Sequence, residues 1–122
     1  MIWSVIGAAG LALAVILGAF GAHGLRGKLD AYSMGIYERA VFYHFIHAIG
    51  LLVVPVLARM NALRPSAATL VCALLLAGIA IFSGSLYLLA VTGTRWLGAV
   101  TPIGGLCFIA AWLVLAVAIA RG

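Results

Sequence analysis

The chain has 122 residues, of which 67% are hydrophobic and 7% charged, and its mean hydropathy is +1.32. A water-soluble fold of this size cannot hide so much apolar surface in one core, so the composition excludes a soluble enzyme or carrier and defines an integral membrane protein. The formal charge of +5 comes from seven Lys and Arg against two acids. The bases are dispersed over the ends of apolar runs, as membrane-helix flanks are, which excludes a nucleic-acid-binding stripe.

Crossing a ~30 Å hydrocarbon layer takes about 20 residues of helix. Four apolar runs nearly exhaust the chain, which predicts an all-α fold: an integral membrane four-helix bundle with short loops, a single domain over residues 1–122. The first helix is expected over residues 2–25, a run with no charged side chain. Arg26 and Lys28 follow it rather than precede it, so it reads as an uncleaved helix and not as a secretion signal. Gly10, Ala14, Gly18 and Ala22 recur at steps of four and predict a small-residue packing face. The second helix is expected over residues 34–58, with Ser33 as its N-cap and Pro55 loosening its last turns. The third, over 65–91, opens at Pro65 and Ser66 and is broken by Thr92, Gly93, Thr94 and Arg95. The fourth, over 102–120, is expected to start with Thr101 as N-cap and Pro102 at the first helical position, with Arg121 as its anchor.

Trp3 and Trp96 fall at span ends, as interfacial anchors do. Cys72 and Cys107 lie near the starts of antiparallel helices, on the order of 20 Å apart in depth, which predicts two unpaired core thiols. Four crossings put both termini on one side. Arg26, Lys28, Arg39 and Arg95 face one compartment and Arg59, Arg64 and Arg121 the other, a near tie that barely engages the positive-inside rule; cytoplasmic termini are the expectation.

Polar residues gather at one end. His23 closes the first helix, Glu38, Arg39, His44 and His47 belong to the opening of the second, Ser83, Ser85 and Tyr87 close the third, and Thr101 opens the fourth. Ionisable groups at membrane depth usually face the bundle interior or a water-filled cavity. The expectation is one polar pocket in one leaflet, open toward the first and third loops and lined by His23, Glu38, His44, His47, Ser83, Ser85, Tyr87 and Thr101. At 100 degrees per residue Tyr37, Ala40, His44, His47 and Ala48 share a face of the second helix, with Arg39 roughly opposite His44. Arg26, Lys28, Arg39 and Arg95 are expected at the lipid interface.

Each polar residue has a packing reading beside the chemical one. His44 and His47 are one helical turn apart and could share a metal ion, or His47 could meet His23 as an axial haem or metal ligand. No four-ligand set and no CxxCH motif accompanies them, so no metal is assigned, the cofactor stays unknown, and hydrogen-bonded packing is the alternative. Glu38 could cap, pair with Arg26 or Arg95, accept from His23, or, if buried, carry a proton or cation. Ser83 and Ser85 flank Gly84, a combination that back-bonds to carbonyls and lets a helix come close. Alternatively they line an anion or head-group site with Tyr87 and the free amides of the fourth helix, to which Gly104 and Gly105 would permit approach. No strand-turn-helix context exposes a serine nucleophile, so the chain is read as no enzyme.

Three segments together, Gly18-Ala-Phe-Gly-Ala-His-Gly24, Tyr43-His-Phe-Ile-His-Ala48, and Phe82-Ser-Gly-Ser-Leu-Tyr87 with Thr101-Pro-Ile-Gly-Gly105, resemble domain-of-unknown-function family 423. These are small bacterial membrane proteins related to eukaryotic transmembrane protein 256, and the resemblance spans essentially the whole chain. It implies four helices, a bacterial inner-membrane location and cytoplasmic termini, and it carries no established activity. Relatives often have a longer basic tail than Arg121-Gly122, and glutamine at the position of His44. The function expected is non-enzymatic binding or transport of a small molecule, ion or lipid head group at the polar cluster. The alternatives are a haem- or metal-binding redox accessory and a structural subunit of a larger membrane complex. Membrane lipids, a second copy of the chain or a larger membrane complex are the partners expected, and nucleic acid is not.

Overall fold

The computed structural model describes all residues from Met1 to Gly122. It is helical throughout, with four helices long and apolar enough to cross a membrane: α1 (Ile2–Leu25), α2 (Ala31–Arg59), α3 (Pro65–Thr92) and α4 (Leu97–Arg121). Inside a bilayer no water can satisfy a free backbone, so apolar runs of this length must close their hydrogen bonds within the helix. Short turns join antiparallel neighbours. α1 packs along α2, and α3 bridges α2 and α4.

The helix ends show which local signals decide. α2 starts three residues earlier than its serine suggested, because the Asp30 carboxylate accepts from the Ser33 amide at 2.7 Å and is the cap. That bond holds the exposed Asp30 carboxyl below the usual carboxylate range. α3 ends at Gly93, whose φ of 70° suits the left-handed position that closes a helix. α4 starts at Leu97, so Thr101 is no N-cap and Pro102 lies inside the helix. The turn before it makes this possible: the amides of Leu97, Gly98 and Ala99 bond the carbonyls of Thr94, Arg95 and Trp96, three residues back, and so leave few orphan donors for a threonine to cap. The Thr101 hydroxyl bonds the Leu97 carbonyl instead, at 3.2 Å.

Two π-helical turns interrupt the regular period, one closing α1 at Gly21–Leu25 and one within α3 at Ile79–Ser83. The second has a consequence for packing. The buried line Val71, Leu75, Gly78 resumes as Ser83, Leu86 and Ala90, one residue later than an uninterrupted α-helix would place it.

The core divides in two. One apolar cluster (Leu51, Val54, Leu63, Ala68, Val71, Cys72, Leu75, Ala111, Leu115) fills the end near the α2–α3 turn. A second (Leu25, Ile36, Tyr37, Ala40, Leu86, Ala90) fills the opposite end. Both cysteines are free, Cys72 fully buried in the first cluster and Cys107 half-buried on α4. Between the clusters lies a layer that is polar and aromatic.

Candidate functional site

The layer is built on the inward face of α2, where Tyr37, Ala40, His44, His47 and Ala48 are all buried while Glu38 and Arg39 are exposed. His44 Nδ1 lies 2.9 Å from the Tyr87 hydroxyl of α3, and its ring also approaches the Gly10 carbonyl of α1. His47 Nδ1 donates to the Tyr43 carbonyl one turn back at 2.7 Å; a carbonyl only accepts, so the proton sits on that nitrogen. The His47 ring stacks on Phe108 with centroids 3.5 Å apart and planes 12° from parallel, and tilts against Trp112 at 5.7 Å. Tyr43 and Phe82 close the remaining side, 4.6 Å apart.

The hydroxyls join helices. Ser83, brought inward by the π turn, donates to the Ala40 carbonyl at 2.8 Å and ties α3 to α2. Ser85 and Thr101 meet at 2.6 Å and tie α3 to α4. Ser85 also reaches the Phe82 carbonyl at 2.9 Å. Each hydroxyl has one proton, so the pair runs either from Thr101 through Ser85 to Phe82 or from Ser85 through Thr101 to Leu97. On α1 and α2 the Tyr37 hydroxyl donates to the Leu17 carbonyl and Ser4 to the Leu52 carbonyl. No buried side-chain nitrogen or oxygen lacks a partner.

These contacts also fix depth. Tyr37 faces Leu17, His44 faces Gly10 and Ser4 faces Leu52. His44 and His47 therefore stand midway along α2, near the bilayer centre, and not at the mouth of one leaflet. His23 lies thirteen residues beyond Gly10 on the same helix, roughly 20 Å along its axis, and is exposed. The structure thus separates His23 from His47 and gathers no three His, Cys, Asp or Glu side chains into a metal-sized group. Glu38 is also outside the layer. It lines a recess of about 140 Å³ between α1 and α2 with Gly18, Gly21, Ala22, Met34, Tyr37, Val41 and Arg26, the last of these one of the partners expected for it. Arg26, Lys28, Arg39 and Arg95 are exposed at that end.

The single polar pocket expected from the sequence does not form. His44 meets Tyr87, Ser85 meets Thr101 and Ser83 meets the α2 backbone, while His47 is packed among the rings of Tyr43, Phe108 and Trp112. The amides of the α4 N-terminus are no part of it, since that helix starts at Leu97. The principal recesses lie on the outside, and none includes His44, His47, Ser83, Ser85, Tyr87 or Thr101. One of about 480 Å³ is lined by Arg64, Ala67, Leu113, Val114, Val117, Ala118, Arg121 and Gly122. Another of about 440 Å³ lies beside Met1, Trp3, Arg59, Asn61 and Thr69. Sequence reasoning treated Arg64 and Arg121 only as flanking charges. The overlooked signal is an alanine one turn inward from each, Ala67 and Ala118, which leaves room beneath the guanidiniums.

Four membrane-length helices around a closed polar layer make this a small multipass membrane protein. The chain belongs to the family described as "Protein of unknown function (DUF423)", whose profile matches residues 17–105 and so includes the polar side chains of the layer but not Phe108 and Trp112. It is 47% identical over 117 residues to a UPF0382 membrane protein of Staphylococcus epidermidis, covering 96% of this chain and 93% of that one. It is similarly 45% identical over 118 residues to the UPF0382 membrane protein YwdK of Bacillus subtilis, covering 96% and 94%. No solved structure matches it.

Proposed function

We propose that the protein is a non-enzymatic module of the bacterial cytoplasmic membrane, with both ends in the cytoplasm, that binds lipid head groups at its edges and conducts nothing through its centre. The observation that supports this is the contrast between interior and surface. Inside, the polar atoms are paired with one another and aromatic rings fill the gaps. Outside, each principal recess combines apolar walls with at least one arginine: Arg64 and Arg121, Arg26, or Arg59. Arginine near an apolar wall suits a phosphate at head-group depth, whereas interhelical hydrogen bonds in a membrane chiefly hold helices in register. The structural-subunit reading draws on the same closed core, and the redox-accessory reading loses its pairing of His23 with His47.

The test has two arms. Purified protein released from mild detergent into a mass spectrometer should retain phospholipid in stoichiometric amounts. Reconstituted into liposomes, it should add no proton or potassium leak to that of empty vesicles. A protein-dependent leak that disappears in the Ser83→Ala or His44→Gln variant would overturn the reading in favour of a conduit through the layer.

A further inference from the structure

We propose that the groove between α3 and α4 binds an anionic phospholipid, with Arg64 and Arg121 on its phosphate and one acyl chain along Ala67, Leu113, Val114, Val117 and Ala118. This rests on the lipid-binding reading above and specifies its site and its ligand class. The argument starts from chain direction. α3 begins and α4 ends on the same side of the membrane, so antiparallel packing brings Arg64 and Arg121 to one rim, and both are exposed there. Below that rim the wall descends α4 from Arg121 to Leu113, about 12 Å at 1.5 Å per residue, most of one leaflet of a ~30 Å hydrocarbon layer. Charge at head-group level and apolar wall through the rest of the leaflet is the polarity profile of a phospholipid. It is not that of a soluble anion. The volume of about 480 Å³ falls within the range of small-molecule sites.

Charge selects among phospholipids. The chain's two acids, Asp30 and Glu38, are at the other end of the bundle, so no acidic side chain neutralises either guanidinium. A carboxylate at Gly122, on the same rim, would offset only one of the two. The first amides of α3 add to the field. Arg64 is the N-cap residue but no side chain caps the helix, which leaves the Ser66 and Ala67 N–H groups without an intrahelical partner on the rim side. Guanidinium groups bind phosphate oxygens in a bidentate fork, and a zwitterionic head group brings its own cation into the same positive field. A head group with net negative charge is therefore preferred.

The probe is an equimolar mixture of phosphatidylglycerol and phosphatidylcholine with identical acyl chains, equilibrated with full-length protein in detergent and read by native mass spectrometry. The wild type is expected to retain phosphatidylglycerol over phosphatidylcholine by about tenfold or more, since each basic residue near the membrane surface contributes several-fold. Arg64→Gln with Arg121→Gln should bring the ratio close to one. Both side chains are exposed and neither makes a capping hydrogen bond, so that variant keeps its fold, which its thermal unfolding checks. Arg26→Gln with Lys28→Gln, at the opposite end, should leave the ratio unchanged. Ala118→Phe, which fills the groove, should lower retention of both lipids. An unaltered ratio in the Arg64/Arg121 variant overturns the proposal, as does a dimer that Ala118→Phe dissociates without affecting lipid, which would assign the groove to a second copy of the chain. Wild-type protein that retains no phospholipid refutes the broader lipid-binding reading. Retention that is insensitive to Arg64, Arg121 and Ala118 refutes this site alone.

Discussion

A methyl group added at Gly7 should loosen the α1–α2 contact. A Cβ built there would stand 2.6 Å from the Leu52 nitrogen, 2.9 Å from the Leu51 carbonyl carbon and 3.0 Å from the Ala48 oxygen. All three are backbone atoms of α2, so no rotamer change relieves the overlap. Restoring ordinary contact near 3.5 Å at the closest of them requires the helices to separate by roughly 0.9 Å. The Ser4 hydroxyl, which donates to the Leu52 carbonyl at 3.0 Å, would then be pulled to the limit of a hydrogen bond. Overpacking costs about 1–3 kcal/mol and an interhelical hydrogen bond contributes ~0.6 kcal/mol, so Gly7→Ala should destabilise the bundle by ~2 kcal/mol, about thirtyfold in its equilibrium constant. The usual gain in helix propensity does little to offset this, because membrane helices remain helical when they come apart. Gly84→Ala is the reference: a Cβ at Gly84 meets nothing within 4 Å, so its effect should lie within about 0.5 kcal/mol of zero. Reversible unfolding in mixed micelles, followed by circular dichroism and tryptophan fluorescence, measures both. Equal stability of the two variants would refute the reasoning.

Two further outcomes are expected. Removing the Ser85 hydroxyl or the Thr101 hydroxyl (Ser85→Ala, Thr101→Val) should each destabilise by about 0.5–1.5 kcal/mol, and the double variant should lose less than the sum, because the two oxygens share one 2.6 Å contact. Reporter fusions after Gly122 and within the turn between Arg59 and Pro65 should report the same side of the membrane, the cytoplasm; opposite sides would refute the four-crossing topology, and a shared external location the orientation.

The sequence made the inward face of α2 legible because that helix runs with a regular 100° step from Ala31 to Arg59, so Tyr37, Ala40, His44, His47 and Ala48 could be placed by counting. The α1 stripe was only partly legible. Steps of four drift 40° each, and the Gly10, Ala14, Gly18, Ala22 line leaves the interface, with Ala22 exposed. The buried line is Gly7, Ala14, Gly21, at steps of seven that drift only 20°. Ser83 turned inward through a π turn that no local residue pattern announces. The filling of the expected pocket was invisible for another reason, because it depends on register between helices. Phe108 fits against Gly78, and the Phe82 backbone fits against Gly104. Neither pairing can be read from one chain without knowing which turns stand opposite.

His44 offers the sharpest separation between a brace and a proton carrier. Its Nδ1 meets the Tyr87 hydroxyl at 2.9 Å midway along α2, so it joins α2 and α3. A brace needs a polar group of the right length and no titration, and glutamine provides one: its amide can accept from the Tyr87 hydroxyl or donate to it. A carrier needs a group that binds and releases a proton, which glutamine cannot do. His44→Leu removes the partner under either role and leaves the Tyr87 hydroxyl unpaired in an apolar setting, at a cost of about 1–3 kcal/mol. The brace reading therefore predicts that His44→Gln unfolds within about 1 kcal/mol of the wild type while His44→Leu falls well below it, and that Tyr87→Phe lowers stability in the wild type but hardly at all in the His44→Leu background. Should His44→Gln prove as unstable as His44→Leu, the imidazole would be contributing something other than this hydrogen bond, and the closed-layer account of the protein would fail at its central residue.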